Sequence, residues 1–207
     1  MIAIVDYGVG NLFSLQSSFA FIGHEARVTG RSDEILSADR VVLPGVGAFG
    51  DAADKLRATG LDRTVQEAAR RGKPLLGICL GMQLLFDEGE EFGRHEGLGL
   101  IPGRVVSMRP AVPDSLKLPQ IGWNGLRLVR PHPLFRDIRD GDQVYFVHSF
   151  HGTDCGDSLL ATTEYGADIT AAVGRGSVMG CQFHPEKSGK IGLSILKAFA
   201  ETEDFVC

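Results

Sequence analysis

Residues 73–86 read KPLLGICLGMQLLF, and the fold turns on how this stretch is read. Pro74–Ile78 is a short apolar run of the kind that forms a strand buried on both faces. Gly77-x-Cys79-x-Gly81 follows, and from Leu80 the residues favour helix. Strand, glycine-flanked turn and helix together make a nucleophile elbow, whose sharp turn leaves no room for side chains beside the nucleophile. Cys79 would then sit at the carboxyl end of a parallel strand, where open α/β sheets bind ligands. It would also sit at a helix N-terminus, where unpaired amides and the macrodipole favour thiolate. The Leu80 amide would face the same point and hold a developing oxyanion. The plainer alternative is a core thiol whose glycines only pack strand against helix.

The surroundings repeat the alternation. Ile2–Val5 is a first strand. Leu12, Leu15, Phe19 and Ile22 mark one face of a helix that Asn11 can cap and Gly23 can end. Glu25–Val28, Arg40–Leu43 and Pro74–Ile78 continue as strands, with helices at Ser32–Ser37, Asp51–Ala58, Leu61–Arg71 and from Leu80 to Phe86. The second half holds short β-like runs at Val105–Ser107, Leu126–Val129, Gln143–Ser149, Leu159–Glu164, Thr170–Val173 and Ser177–Phe183, around a Pro110–Pro119 loop. A helix over Ser188–Ala200 presents Ile191, Ile195 and Phe199 on one face. The expected architecture is α/β and flavodoxin-like: an open, mostly parallel sheet with helices on both faces and an antiparallel C-terminal extension. No repeat, low-complexity tract or linker interrupts it, so residues 1–207 are expected to form a single domain.

Composition excludes several classes. A net charge of −5 without a basic block argues against nucleic-acid binding. No apolar run approaches a membrane span, and MIAIVDYG is too short and acidic for a signal peptide. Cys79, Cys155, Cys181 and Cys207 show no CxxC spacing, so neither a disulfide framework nor a zinc site is expected. A soluble chain in the reducing cytoplasm is the default.

A nucleophilic thiol needs a base and a group to orient it. In GCQFHPEKS, residues 180–188, His184 ends a β-like run and Glu186 follows two positions later, on the same side of an extended chain. His24, His95 and His132 lie in polar or turn contexts and read as surface. His148 and His151 flank Ser149-Phe150 and border the site without a carboxylate nearby. A second glycine cluster, PGVGAFG at 44–50, ends the third strand, which should neighbour the fourth. It lacks the Gly-Lys-Ser/Thr of a phosphate loop. Its amides can complete an oxyanion hole beside Cys79, or the cluster is simply a tight turn.

The elbow GICLGMQLLF, the loop PGVGAFG and the segment QFHPEKS resemble the class I (triad-type) glutamine amidotransferases over essentially the whole chain. DYGVGNLFSL (6–15), PQIGWN (119–124), YFVHSF (145–150) and TTEYG (162–166) place the likeness among glutaminase subunits of histidine biosynthesis, although Gln120 and Ile121 depart from many relatives. The resemblance implies that Cys79 attacks the carboxamide of L-glutamine, His184 protonates the departing ammonia and Glu186 orients His184. It further implies an oxyanion cradle from Leu80, Gly47 and Val46, with the Gly45–Gly47 strand changing conformation to complete it. Gly45, Gln83, Glu91, Ser149 and Phe150 would bind glutamine. No cofactor and no metal are implied. The implied partner is a HisF-like (β/α)8-barrel cyclase subunit that receives the ammonia, with Asn11, Trp123 and Lys187 at or near the interface.

Three other readings stand beside this one. A glutaminase serving another acceptor, such as a pyridoxal phosphate synthase, would fit PQIGWN and YFVHSF less well. A non-catalytic regulatory module on the same fold would have no need of Cys79, His184 and Glu186 together. A cysteine peptidase-like hydrolase is disfavoured by the context of Gln83.

Overall fold

Alternate residues of the N-terminal strands enter two separate cores, and this decides where the helices lie. The computed structural model describes residues 1–205, so Cys207 falls outside the described residues. In β1 (Ile2–Val5), Ile2 and Ile4 face one core while Ala3 and Val5 face the other. Side chains of a strand point alternately to the two faces of a sheet, and here both faces are covered. Helix α1 (Leu12–Phe21) packs on the first face through Leu15 and Phe19. After β2 (Ala26–Thr29), helix α2 (Ser32–Ser37) covers the second face through Ile35. Beyond β3 (Arg40–Leu43), α3 (Phe49–Ala58) and α4 (Leu61–Arg70) join α2 there.

Next come β4 (Leu75–Ile78), α5 (Leu80–Gln83), β5 (Phe86–Gly89), β6 (His95–Glu96), β7 (Ile101–Ser107), β8 (Gln120–Leu128), β9 (Gln143–His148) and β10 (Phe150–Thr153). The chain ends with β11 (Leu159–Glu164), β12 (Asp168–Arg175), β13 (Val178–Cys181) and α6 (Gly189–Glu201). Helix α6 returns to the α1 face and buries Ile195, Leu196 and Phe199. The main sheet has nine strands in the order β2-β1-β3-β4-β13-β12-β11-β8-β9. From β2 to β13 every pairing is parallel, and from β13 to β9 every pairing is antiparallel. The open parallel sheet with its antiparallel extension is therefore present as expected.

Three expectations change. The run Val105–Ser107 does not extend the main sheet; within β7 it pairs with β5 and β10 in a separate four-stranded sheet. The helix expected from Leu80 to Phe86 stops at Gln83, and Phe86 begins a strand. The carbonyls of Leu84, Leu85 and Phe86 are taken by the amides of Leu98 to Ile101, which peels the chain out of the helix. An apolar run such as Leu84-Leu85-Phe86 has no period with which to announce this. Asn11 occupies the N-cap position of α1, but its side chain makes no capping hydrogen bond. Gly23 does end that helix, with φ +85° and its amide on the Ala20 carbonyl.

The elbow glycine Gly81 shows how tightly the site is built. A Cβ there would lie 1.9 Å from the Leu43 carbonyl oxygen, on the backbone of β3. Neither rigid element can give way, so Gly81→Ala should destabilise the fold by about 3 kcal/mol, the upper range for overpacking. Urea unfolding of the variant, with unchanged slope and a lower midpoint, is the expected result.

Candidate active site

Parallel pairing places the carboxyl ends of β3, β4 and β13 side by side, and each end delivers one part of the site. From β4 comes Cys79, with φ +54° and ψ −113°, a conformation few non-glycine residues adopt. Its amide donates to the Cys181 carbonyl at 2.7 Å, and its own carbonyl accepts from Gln83 N at 3.2 Å. The strained residue is thus pinned from both sides. Leu80 opens α5, so its amide has no acceptor within the helix. With α5 only four residues long, the axial field at its start is small, and the unpaired amides are what the helix presents to the site.

From β3 comes the loop 44–48. Gly47 has φ +98°, a conformation that favours glycine, and Val46 is exposed. Gly45 lies so close to α5 that an added Cβ would be 2.7 Å from Gly81 N. The Tyr7 hydroxyl donates to the Pro44 carbonyl at 2.7 Å and ties the loop to the end of β1. Burial, with the Cys79 charge adding to it, pushes the Tyr7 phenol well above its usual range, so it remains a donor.

Beyond β13 lie Gln182 and His184, both buried. The His184 Nδ1 is 2.8 Å from Glu186 Oε1, and the carboxylate is almost wholly enclosed. The two meet through a 3-10 turn at Pro185–Lys187 rather than through the extended spacer expected. Burial pulls the His184 pKa down, but hydrogen bonds to Cys79 and Glu186 and their charges outweigh it, raising it from 6.5 to about 9. The second oxygen of Glu186 is buried without a partner. That leaves the carboxylate's full electrostatic pull on the imidazole.

Cys79 and His184 open onto a cavity of about 330 Å³, at the small end of ligand sites. Val46, Gly47, Leu80, Gln83, Glu91, Ser149, Phe150 and Lys187 line the same cavity. Gly45 and Glu186 are not part of this lining. Asn11 is half-buried before α1, and Trp123 is exposed on β8 with its ring edge-on to Tyr145 at 6.0 Å. Gln83 is less free than expected: its Nε2 donates to the Phe150 carbonyl and to Gln182 Oε1, each at 3.0 Å. Glu91 Oε2 accepts from the Phe49 amide at 2.8 Å and anchors the start of α3.

Gln182 escaped the sequence reading. Its Nε2 donates toward Cys79 Sγ at 3.9 Å while Gln83 holds its oxygen. It stands two residues before His184, so the alternation that selected Glu186 would have selected Gln182 as well. Tyr7 had no such local signal, because its role depends on β1 pairing with β3. Among the histidines expected at the surface, His132 is buried, its Nδ1 accepting from Leu134 N at 3.1 Å. His24 and His95 are half-buried. Cys79, Cys155 and Cys181 are free thiols. Among the described residues, no group of three His, Cys, Asp or Glu side chains is placed to hold a metal ion.

The open parallel sheet, the elbow thiol and the imidazole backed by a carboxylate define a class, the triad-type amidotransferases. The chain belongs to the glutamine amidotransferase class-I family, whose model matches residues 3–202. It is 48% identical to the imidazole glycerol phosphate synthase subunit HisH of Syntrophotalea carbinolica, over 97% of this chain and all of that one. It is 47% identical to the HisH subunit of Lactococcus lactis, over 97% and 98% of the two chains. The fold is similar to that of a glutamine amidotransferase crystal structure (TM-score 0.74, 17% identity, 96% and 98% coverage). It is also similar to PurLQS from Thermotoga maritima (TM-score 0.76, 20% identity, 96% of each chain).

An imidazolium favoured by the fold stabilises it. That contribution is complete below pH 6.5 and is lost as the pH climbs through about 9. Unfolding free energy should therefore fall across this window in the native chain. Glu186→Gln and Cys79→Ala should each flatten the fall, since each removes a group that raises His184.

Proposed function

We propose that the chain, acting as one domain over residues 1–207, is the glutaminase subunit of an imidazole glycerol phosphate synthase. What carries the reading is the convergence of a strained elbow cysteine and a histidine–carboxylate pair on one small cavity. The names of the full-length relatives supply the pathway.

The Cys79 thiolate attacks the side-chain carboxamide carbon of L-glutamine. The oxyanion that forms is met by the amides of Leu80 and Gly47, with the Val46–Gly47 peptide turning toward it. His184, charged by the proton of the thiol, gives it to the departing nitrogen as the C–N bond breaks, releasing ammonia and leaving a thioester. Glu186 keeps Nδ1–H pointing away from the thiol, so Nε2 faces the reacting atoms. Water then adds to the thioester with His184 as base, glutamate leaves, and the thiol is restored. Gly45, Gln83, Glu91, Ser149 and Phe150 hold the amino-acid end of the substrate, Gln83 by fixing the Phe150 carbonyl.

Free ammonia would protonate and diffuse away, so the acceptor chemistry belongs to a docked protein. The partner is a HisF-like (β/α)8-barrel cyclase subunit, which uses the ammonia to convert PRFAR to imidazole glycerol phosphate and AICAR in histidine biosynthesis. Asn11, Trp123 and Lys187 lie at or near that interface, and the exposed Trp123 is suited to be an anchor. No helix of the described residues is long and apolar enough to cross a membrane, and the cytoplasm is the compartment we assign.

Glutamate release should be slow from the chain alone and rise with the cyclase and its nucleotide ligand, because an ungated glutaminase would waste ammonia. Cys79→Ala should abolish release while the variant still folds and co-purifies with the cyclase. Full activity in that variant would sink the mechanism, and equal turnover with and without the cyclase would sink the gating.

A further inference from the structure

His148 ends β9, is buried, and lines the cavity without being either nucleophile or base. Each ring nitrogen has one partner. Nδ1 is 2.8 Å from the Phe150 carbonyl oxygen, and Nε2 is 3.1 Å from Oε1 of Gln120. Gln120 Nε2 donates to Asn124 Oδ1 at 3.1 Å, and Asn124 Nδ2 donates to the Glu164 carbonyl at 3.1 Å. The chain of contacts therefore has a backbone carbonyl at each end, and neither end can donate.

A neutral imidazole and a carboxamide each take a hydrogen bond on one side and give one on the other. A neutral chain of such groups can satisfy only one of its two carbonyl ends. In one arrangement Nδ1–H donates to Phe150, both amides turn their NH2 groups toward His148, and Asn124 meets Glu164 oxygen to oxygen. In the other, which is how the two amides are oriented in the structure, Asn124 donates to Glu164 and a bare Nδ1 faces the Phe150 oxygen. An imidazolium would satisfy both ends. Burial, aided by His151 and His184, outweighs the upward pull of the Phe150 hydrogen bond and holds the His148 pKa down at about 4, so the ring is neutral near pH 7.

Where the unavoidable mismatch falls decides the tautomer. Glu164 is exposed and Asn124 half-exposed, so water can relieve a mismatch there. At the buried His148 ring the mismatch would go unrelieved. Oxygen and nitrogen of a carboxamide have nearly the same shape, so a half-turn of each amide reaches the first arrangement. Gln83 Nε2 already donates to the same Phe150 oxygen from α5. With His148 Nδ1–H, that carbonyl is held from both walls of the cavity.

We propose that His148 is a positioning residue for the substrate. As the Nδ1–H tautomer it fixes the Phe150 carbonyl, and with it the Ser149–Phe150 backbone that meets the amino-acid end of glutamine. This rests on the glutaminase reading above.

Three variants in the complex with the cyclase test it. An Asn side chain puts its NH2 where Nδ1 lies and a Gln puts it where Nε2 lies, while Leu supplies neither. His148→Asn should keep the KM for glutamine within about twofold. His148→Gln and His148→Leu should raise it about five- to tenfold with a smaller change in kcat, the loss expected of one neutral hydrogen bond. Nitrogen NMR of the native chain near neutral pH should show Nδ1 protonated and Nε2 bare. Equal shifts in all three variants, no shift in any, or the opposite tautomer overturns the proposal while the glutaminase reading stands. A native complex that leaves glutamine intact overturns both.

Discussion

The structure is organised around one close approach: the first turn after β4 presses directly onto the end of β3. Gly81 meets the Leu43 carbonyl with no space for a methyl group, and Gly45 meets the Gly81 amide almost as closely. With the backbones at that separation, the chain must reverse within one residue, and that residue is Cys79 at φ +54°. Strain of this kind costs on the order of 1–3 kcal/mol and persists only where the surroundings leave no alternative. Here the Cys181 carbonyl, the Gln83 amide and the packed strands on either side supply that constraint. The thiol therefore stands just past the carboxyl end of β4, packed against the same core as Ile78 yet open to the cavity.

Parallel pairing then determines the thiol's neighbours. β3, β4 and β13 share one direction, so the glycine loop, the elbow and the Gln182–His184 segment leave the sheet at the same edge. β13 is also where the sheet changes from parallel to antiparallel. The nucleophile comes from the doubly covered parallel half, and its base from the seam between the halves. The opposite lip, Ser149 and Phe150, comes from the end of β9 and the start of β10, which belong to different sheets. One cavity thus draws on three structural units, although most of its residues are far apart in sequence.

Local chemistry was legible in the sequence, and long-range partnership mostly was not. G-x-C-x-G announced the elbow because only glycine tolerates such contacts, and the alternation of apolar runs announced the parallel sheet. His184 and Glu186 were legible because they are two residues apart, though a 3-10 turn brings them together. Leu84-Leu85-Phe86 was misread because an unbroken apolar run suits a helix and a strand equally. Val105–Ser107 was placed in the wrong sheet because a strand's sequence does not name its neighbours. His132 looked like a turn residue, yet it is buried against Phe205, more than seventy positions away. Tyr7 became meaningful only once β1 lay beside β3.

The cavity is held in two different ways. At the reacting end the contacts are charged and enclosed: the His184–Glu186 pair is nearly inaccessible to water, and Cys79 and Glu186 together raise the imidazole pKa. Such contacts are strong and resist rearrangement. Around the Phe150 carbonyl, Gln83 with Gln182 on one side and His148 with Gln120 and Asn124 on the other join through neutral hydrogen bonds, each worth only about 1 kcal/mol net. Neutral amides and imidazoles can exchange donor and acceptor ends by half-turns or by a proton shift, without moving the backbone far. A tightly held histidine–carboxylate pair thus stands beside amides and an imidazole that can exchange donor and acceptor roles. On β8, Ile121 and Trp123 stand exposed while Gln120 is buried, so one strand carries both an outward apolar pair and a link of this hydrogen-bonded chain.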